Sequence, residues 1–362
     1  MPTQAFGVRR FTADARGDRR CVSTAVHTRV ESIPPGGVMP QSEPADARMR
    51  ACGVAEMSGP VQSLRLPRPQ SPGPGEILLD VLAAGVGPWD RLLASGRWDV
   101  GLRFPAALGV EGAGRVVAVG PDVTTPAVGD LVLAHSAPLP GHSGLWAEQV
   151  LLRAADAAPL PEGLDPARAA ALPVNGLTAC QALDWLDLSS GMQLLVTNGA
   201  GVTGALVLQL AVAAGVHVTA TASPRSFDRL RRLGATDVID YRRPAWPREV
   251  GRVFDAALAA APGTAATAGE LVRPGGRLCS ITSDAPAASA ELASADLYVR
   301  PDAETLAVLA SQLRDGVLDL PTEVLPLDEG PGAFDRSSRG LTGGTKLVLR
   351  VTGPASSDTM PA

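Results

Sequence analysis

One stretch in the middle of the chain constrains the fold most strongly. Residues 194–196 form a short apolar run, which is typical of a parallel strand covered on both faces. Three glycines follow within residues 199–204 at G-x-G-x-x-G spacing, and apolar residues then recur at helical density over 202–214. Residues 216–221 are rich in β-branched side chains and predict a second strand. This order of strand, turn, helix and strand predicts a doubly wound parallel sheet, the α/β Rossmann architecture.

The glycine turn predicts a dinucleotide site. In such turns the first glycine permits the tight bend, the second lets a pyrophosphate approach the backbone, and the third lets helix and strand pack closely. The helix N-terminus offers unpaired N–H groups and partial positive charge to the phosphates. The motif alone is weak evidence in a chain with 39 glycines, and a turn that binds no ligand is the alternative. The position of the motif after a strand and before a helix favours a dinucleotide site. The residues predicted to form it are Asn198, Gly199, Ala200, Gly201, Val202, Thr203 and Gly204.

The end of the second strand favours NADPH over NADH. NAD sites usually carry an acidic residue there, about 20 residues after the glycines, to bind the ribose 2′-hydroxyl. This chain has Ser223 and Arg225 instead, and no acid before Asp228. A guanidinium suits a 2′-phosphate because it donates two parallel N–H bonds. The arginines of the next helix are interpreted as a solvated face, with phosphate contact as the alternative; they are Arg229, Arg231 and Arg232.

Composition bounds the class of protein. The 362 residues are 45% apolar and 19% charged, which leaves room for two domains. The net charge of −5 argues against a nucleic-acid partner, and no uninterrupted apolar stretch of membrane length is present. The 4 cysteines are scattered, which fits a reducing cytoplasm. Residues 1–48 are expected to be a disordered extension, with Met49 a plausible alternative start, and residues 354–362 a loose tail.

Sequence patterns before and after the glycine turn predict further strands and helices. Upstream, short strands are predicted over 76–82, 114–119 and 129–134, which indicates a separate β-rich domain. Asp165 and Pro166 are predicted to begin a helix as N-cap and first residue. Downstream, the predicted elements are strands over 237–240, 253–258, 277–281 and 346–351 and a helix over 303–314, whereas the Ala/Ser-rich residues 282–297 predict nothing definite.

The motifs of this chain resemble those of one family over about residues 49–353. The segments are 83–90, 105–116, 119–120, 129–130, 171–173, 177–179, 233–241, 273–276 and 345–348. They resemble the zinc-free quinone oxidoreductase branch of the medium-chain dehydrogenases/reductases. The resemblance implies a β-rich GroES-like catalytic domain over 49–164 and 299–353, and a Rossmann NADPH-binding domain over 165–298. It places the site in the cleft between the two domains and implies a homodimer through an edge strand.

The chain departs from the zinc-dependent members of that family. They place Cys where this chain has Gly87 and His where it has Val110. Glycine and valine side chains offer no lone pair, and Glu111 alone cannot hold a zinc ion, which needs three protein ligands. The loop residues His135 and His142, with Glu148 nearby, are more typical of polar surface than of a metal site. We therefore expect a reaction without metal.

Without a metal, conjugate reduction remains feasible. The resemblance implies hydride transfer from NADPH to a quinone, or to the β-carbon of an enone or enoyl group, with water supplying the proton. The branch carries Asn-x-x-Asp and a later Tyr; here Gly87 and Trp98 stand at the Asn and Tyr positions, while Asp90 is retained. A side-chain proton donor is thereby in doubt. The candidate catalytic residues, in positioning roles, are Trp89, Asp90, Trp98 and Thr178.

These candidates have structural alternatives. Trp89 and Trp98, with Phe104, line an apolar acceptor pocket or pack in the core. Asp90 acts as an acid or base only with a raised pKa, and a structural hydrogen bond is the preferred interpretation. Thr178 and Asn175 contact the nicotinamide or substrate, or else cap a helix over 177–185.

The resemblance implies two further cofactor contacts. Tyr241 is implied at the adenosine 2′-phosphate, and Lys346 also at the cofactor.

Three other functions compete with the reductase. A short-chain dehydrogenase needs Tyr-x-x-x-Lys, which neither tyrosine of this chain begins. A methyltransferase normally has an acidic residue after the second strand, and this chain has none there. A non-catalytic NADPH-binding or structural protein of the same family remains the alternative to the reductase.

Overall fold

The computed structural model describes residues 48–351. The predicted tail and all but the last residue of the predicted N-terminal extension lie outside this range. The strands are β1 Arg48–Val54, β2 Val61–Pro67, β3 Glu76–Val86, β4 Ala106–Ala107, β5 Glu111–Val119, β6 Leu131–His135, β7 Gln149–Arg153, β8 Ala157–Pro159, β9 Gln193–Val196, β10 His217–Ala222, β11 Asp237–Asp240, β12 Phe254–Ala259, β13 Val272–Ser280, β14 Leu292–Asp296, β15 Thr322–Pro326 and β16 Lys346–Arg350. The helices are α1 Asp90–Ala94, α2 Pro166–Ala170, α3 Pro173–Leu186, α4 Val202–Ala213, α5 Phe227–Arg232, α6 Trp246–Val250, α7 Ala265–Glu270, α8 Ala303–Arg314 and α9 Gly330–Ser338.

The glycine turn lies in a six-stranded sheet whose pairs are all parallel. Its order is β11-β10-β9-β12-β13-β14, with β9 in the middle. The chain runs outward from β9 to one edge and then returns to the other side through β12. Sheets of this order bind ligands beyond the carboxyl ends of the strands at the point where the order reverses. The turn after β9 occupies that point, as predicted.

The first part of the chain and its last strands share a second, largely antiparallel sheet. Its order is β15-β16-β3-β5-β6-β8, with β7 also paired to β3, and β1, β2 and β4 form a small third sheet. Strand β16 returns to pair antiparallel with β3, with Leu347 opposite Val86. The fold class is therefore confirmed: a Rossmann sheet joined to a β-rich GroES-like part. The exact domain limits stay a prediction.

Local signals in the sequence locate most elements closely. The strand over 237–240 and the helix over 303–314 coincide with β11 and α8. The Asp165 carboxylate accepts the N–H groups of Ala167 and Arg168, as its predicted N-cap role requires. The predicted strand starts at 114 and 277 are late by 3 and 5 residues relative to β5 and β13.

Helix α3 starts earlier than predicted, and strand β14 lies in a stretch for which no definite element was predicted. The helix predicted over 177–185 begins at Pro173, because proline is well suited to a first helical turn. Strand β14 lies in the Ala/Ser-rich stretch 282–297, where side chains give little β-propensity and pairing with β13 defines the strand. None of the helices within residues 48–351 combines the length and apolarity that crossing a bilayer requires.

Candidate functional site

The turn between β9 and α4 presents an open helix N-terminus. Asn198 adopts φ 50°, and the Gly199 N–H donates to the Thr221 carbonyl on β10 at 2.9 Å. Gly201 is the N-cap of α4 and, having no side chain, caps none of the free N–H groups of the helix. The first N–H groups of a helix have no intrahelical acceptor, so this end is available to an anion. The geometry is that of a phosphate-binding turn.

Each glycine of the turn is required by a close neighbour. A Cβ at Gly204 would lie 2.5 Å from the Asn198 carbonyl oxygen, and one at Gly199 would lie 2.6 Å from the Ala220 Cβ. A Cβ at Gly201 would lie 2.7 Å from the Asn198 Nδ2, which itself donates to the Ala260 carbonyl at 3.1 Å. The first and third positions thus serve close packing of turn, strand and helix, and the second accommodates the Asn198 side chain.

Ser223, Arg225 and Tyr241 lie at one edge of the sheet. Strand β10 ends at Ala222, directly opposite Asp240 at the end of β11. Ser223 is half-buried and Arg225 is exposed just beyond β10, while Tyr241 is 55% exposed just beyond β11. A carboxylate does stand at the end of β11, but Arg242 binds both oxygens of Asp240 at 2.9 Å. The predicted contacts are therefore neighbours on the strand ends.

Arg229 corrects the interpretation of the arginines on α5. Arg231 and Arg232 are exposed, as a solvated face requires. Arg229 is only 22% exposed; its Nη1 donates to the Ala200 carbonyl at 3.4 Å and its Nε lies 3.6 Å from Asp319. Its guanidinium therefore turns back toward the glycine turn. No local signal in the sequence separates Arg229 from its neighbours.

Helix α3 carries two of the predicted contact residues, Asn175 and Thr178. Asn175 is 5% exposed; its Nδ2 donates to the Thr203 hydroxyl on α4 at 2.8 Å, and its Oδ1 has no hydrogen-bond partner within the described part of the chain. The Thr178 hydroxyl donates to the Val174 carbonyl, four residues earlier, at 2.6 Å. The helix-capping alternative for Thr178 is wrong because this residue lies inside α3 rather than at its start. Asn175 retains one unsatisfied acceptor beside the turn.

A buried ion pair lies within the largely antiparallel sheet and contacts the start of α3. Lys346 on β16 is 2% exposed and its Nζ lies 2.5 Å from Glu111 Oε1 on β5. Glu111 Oε2 accepts the Val174 N–H at the start of α3 at 2.8 Å. The Lys346 Nζ also lies 4.5 Å from the centroid of the Trp89 ring. In this structure Lys346 is thus engaged by Glu111 and Trp89, and its predicted contact with the cofactor stays a prediction.

Trp89 and Asp90 are organised around Gly87. A Cβ at Gly87 would overlap both Cε2 and Cζ2 of Trp89, so the indole fills the space that a side chain at position 87 would need. Asp90 Oδ2 accepts the Gly87 N–H at 2.8 Å, and Asp90 is fully buried. Burial raises the pKa of the Asp90 carboxyl to about 7, and the Gly87 N–H and the Lys346 charge partly oppose that rise. The hydrogen bond agrees with the structural interpretation of Asp90.

The other aromatic candidates pack against the core of the GroES-like part. Trp89, Trp98 and Phe104 are half-buried and contact its buried apolar cluster. The Trp98 backbone N–H donates to the Leu92 carbonyl at 3.1 Å. Their partial exposure is compatible with both the pocket and the core-packing interpretations.

The described residues do not fit a catalytic zinc ion. Glu111 uses one oxygen for Lys346 and the other for the Val174 N–H, and the Trp89 ring fills the position at Gly87. His135 Nδ1 lies 3.1 Å from the Val110 carbonyl, and Glu148 pairs with Arg50. Within residues 48–351 no cluster of three His, Cys, Asp or Glu side chains is placed to hold a metal ion.

The comparisons with known proteins agree with the fold. The model for the alcohol dehydrogenase GroES-like domain matches residues 73–162, and that for zinc-binding dehydrogenases matches residues 233–349. The chain belongs to the medium-chain dehydrogenase/reductase family.

Particular relatives refine this placement. The structure of the quinone oxidoreductase from Coxiella burnetii is 26% identical with a TM-score of 0.73, and the alignment covers 84% of this chain and 100% of that one. The pikromycin polyketide synthase component PikAII of Streptomyces venezuelae is 41% identical over 47% of this chain and 4% of its own length. The synaptic vesicle membrane protein VAT-1 homolog of Rattus norvegicus is 36% identical over 51% of this chain and 45% of its own length. The matches to these curated relatives thus span less than half of their length.

Proposed function

We propose that this protein is an NADPH-dependent reductase that transfers hydride to a quinone or to an activated double bond of an enone or enoyl group. The observation that carries the cofactor assignment is the end of β10, where the side chains of Ser223 and Arg225 have no hydrogen-bond or ion-pair partner among residues 48–351. The neighbouring strand-end carboxylate, Asp240, is neutralised by Arg242. An arginine at this position suits a 2′-phosphate better than a ribose hydroxyl.

The turn and its neighbours supply the remaining cofactor contacts in this proposal. The N–H groups at the start of α4 bind the pyrophosphate, with Arg229 adding positive potential behind Ala200. The unsatisfied Oδ1 of Asn175 accepts an N–H of the nicotinamide carboxamide. Tyr241 lies against the adenosine end.

The acceptor binds between the nicotinamide and the GroES-like part. Trp89 and Trp98 form its apolar wall, and Thr178 and Asp90 hold the surrounding backbone. NADPH supplies a hydride from C4 when it is bound. The protein residues orient the acceptor, exclude water from the transfer and leave protonation to solvent at the rim of the cleft. The Coxiella burnetii neighbour, named a quinone oxidoreductase, supports the acceptor class.

Binding and turnover of the full chain test this proposal. We expect NADPH to bind more tightly than NADH by calorimetry, and NADPH absorbance to fall with members of a panel of quinones and enones. Arg225→Glu should weaken NADPH binding by about 10- to 100-fold and leave NADH binding nearly unchanged, because one charged hydrogen-bond pair is lost. Arg232→Glu, which reverses the charge of an exposed arginine on α5, is the matched control.

The outcomes separate the candidate functions. Equal effects of the two charge reversals would remove the 2′-phosphate assignment. Tight NADPH binding without turnover of any acceptor would favour a non-catalytic NADPH-binding protein.

We also propose a homodimer through the edge strand β14 and, from the absence of close cysteine pairs in the sequence, a cytoplasmic location.

A further inference from the structure

Polar side chains follow three neighbouring strands of the parallel sheet at their carboxyl ends. Thr197 and Asn198 follow β9, and residues 260–264, the β12 loop, connect β12 to α7. Asp284 lies just beyond β13. Strands β9, β12 and β13 are adjacent in the sheet, and hydrogen bonds connect the β12 loop to the groups on both sides of it.

The strand that carries the glycine turn holds one side of the β12 loop. The Ala260 N–H donates to the Thr197 hydroxyl at 2.9 Å, and the Asn198 Nδ2 donates to the Ala260 carbonyl at 3.1 Å. The Thr264 hydroxyl donates to the Ala261 carbonyl at 2.7 Å, so its 2.8 Å contact with Thr197 is a hydrogen bond that Thr197 donates. Both backbone groups of Ala260 and the Thr264 side chain are thereby fixed.

A carboxylate holds the other side of the β12 loop. Asp284 Oδ2 accepts the Gly263 N–H at 2.6 Å, and Asp284 Oδ1 accepts the hydroxyls of Ser280 and Thr282. Burial by itself would raise the pKa of the Asp284 carboxyl, but these hydrogen bonds outweigh burial and hold the pKa below its ordinary value of 3.8. The carboxylate is therefore charged at neutral pH, and its hydrogen bonds are of the strong, charge-assisted kind.

The proposed function places the β12 loop at the nicotinamide half of the cofactor. In that proposal the adenosine end lies at β10 and β11, and the pyrophosphate lies at the turn after β9. The strand order β11-β10-β9-β12 puts β12 on the other side of this turn, and a dinucleotide spans the crevice at such a reversal. The half of the cofactor beyond the pyrophosphate therefore lies over the carboxyl end of β12.

The β12 loop depends on its neighbours for its position. Its sequence is Ala-Ala-Pro-Gly-Thr, which contains no charged side chain, and Gly263 adopts φ 76°. Small side chains make few contacts, and glycine adds conformational freedom to the backbone. The hydrogen bonds from Thr197, Asn198 and Asp284 thus determine where the surface of the loop lies.

We propose that Asp284 and Thr264 are positioning residues, which hold the β12 loop as the wall against which the nicotinamide half of NADPH binds. This inference rests on the proposed function and adds to it how the ring that carries the hydride is aligned. Alignment matters because a displacement of about 1 Å can lower the rate of a transfer by about 100-fold. Neither residue takes part in the hydride transfer itself.

Asp284→Asn tests the position of the loop, because asparagine keeps the shape of aspartate and removes the charge that all three donors share. We expect the affinity for NADPH to fall by about tenfold, as for the loss of one hydrogen bond to a charged group, and kcat to fall by about tenfold as well. The affinity for 2′,5′-ADP should stay unchanged, because this nucleotide has no nicotinamide half and ends at the turn. Calorimetry on the full chain measures both affinities.

Asp255→Asn is the matched control. Asp255 on β12 accepts the Gln193 N–H of β9 at 2.7 Å and pairs with Arg273, so it joins the same two strands at their opposite ends. This variant should lose stability in urea as Asp284→Asn does, but keep its affinity for NADPH and its kcat. A merely structural role for Asp284 predicts instead that the two variants behave alike.

Two substitutions of Thr264 test the other side of the loop. Thr264→Val keeps the shape of the side chain and leaves the Thr197 hydroxyl without its acceptor, whereas Thr264→Ser retains the hydroxyl. We expect the valine variant to bind NADPH about five- to tenfold more weakly with unchanged affinity for 2′,5′-ADP, and the serine variant to bind both as the wild type does. This pair provides the same test if Asp284→Asn does not fold.

The outcomes separate the inference from the proposed function. A wild-type chain that does not bind NADPH overturns both. A wild-type chain that binds NADPH, with folded Asp284→Asn and Thr264→Val variants that bind it as tightly as Asp255→Asn does, overturns the inference alone. Equal weakening of NADPH and 2′,5′-ADP also overturns the inference, because the effect then extends beyond the β12 loop. Since both affinities are measured without an acceptor, a chain that binds NADPH and reduces nothing still tests the inference.

Discussion

At the scale of single residues, Asp90 shows how burial changes a carboxyl group. Its side chain is fully buried, one oxygen accepts the Gly87 N–H, and the other has no partner within residues 48–351. The charged form is therefore poorly solvated, and the pKa rises from an ordinary 3.8 to about 7. A neutral carboxyl still accepts the Gly87 hydrogen bond, so the turn that carries Trp89 is retained when Asp90 is protonated.

Asp90→Asn should change how stability depends on pH. Because the folded state binds the Asp90 proton more tightly than the unfolded state, this group favours folding at low pH and loses that contribution as pH rises from about 4 to about 7. Asparagine does not titrate. The free energy of unfolding of variant and wild type is measured in urea at several pH values. Relative to wild type, the variant should gain a few kcal/mol of stability as pH rises over this range.

A constant difference between the two proteins from pH 4 to pH 8 would contradict the raised pKa. Asp184→Asn serves as a comparison, since partial desolvation and the nearby Asp302 also raise the pKa of that carboxyl, although Asp184 is far less enclosed than Asp90. Its variant should show a smaller pH-dependent change.

At the scale of elements, the unit of strand β9, glycine turn and helix α4 depends on backbone contact. Gly204 in the first turn of α4 lies against the Asn198 carbonyl and the Gly199 Cα, with no space for a methyl group. This contact sets how closely the helix N-terminus approaches the strand end. The direction of the free N–H groups depends on it.

Gly204→Ala should therefore impair folding and cofactor binding together. We expect a loss of about 1–3 kcal/mol in unfolding free energy, since a rigid backbone must move, and weaker NADPH binding by calorimetry. Gly332→Ala is the control: Gly332 lies in helix α9 with nothing within 4 Å of its added Cβ. There alanine should be neutral or stabilising by up to about 1 kcal/mol. Equal stability of both variants would contradict the packing role of Gly204.

At the scale of the whole molecule, a few polar contacts connect the two sheets. Glu111 on β5 accepts from the backbone of α3, and Asn175 on α3 donates to Thr203 on α4. The first links the GroES-like part to α3, and the second links α3 to the glycine turn. Helix α3 thereby connects the proposed cofactor site at the glycine turn with the GroES-like part.

The proposed dimer makes a prediction at this scale. Light scattering after size exclusion should give the mass of two chains. A charge introduced at the exposed edge residue Ala293 on β14, as Ala293→Glu, should shift the equilibrium toward one chain, because it places like charges close together across a twofold edge contact. Val308→Glu on α8, which alters a residue that is 52% exposed, should leave the mass unchanged. A wild-type mass of one chain would reject the dimer.

Local residue patterns were sufficient for much of this protein. The apolar run before the glycines, the Asp165 cap and the period of α8 each depend on interactions within a few residues, so they are visible in the sequence. The spacing of the glycines predicted the turn for the same reason, because Gly201 and Gly204 are required by contacts with Asn198 inside one strand–turn–helix unit.

Tertiary structure decided what depends on residues far apart in the chain. Lys346 meets Glu111 across 235 positions, and Arg229 turns to the glycine turn while Arg231 and Arg232 face solvent. The place of the Trp89 ring beside Gly87, beneath Lys346, follows from β16 returning to pair with β3. Such contacts arise only when sheets close and helices pack, since side-chain burial and charge pairing are properties of the assembled core and leave no periodic trace in the sequence.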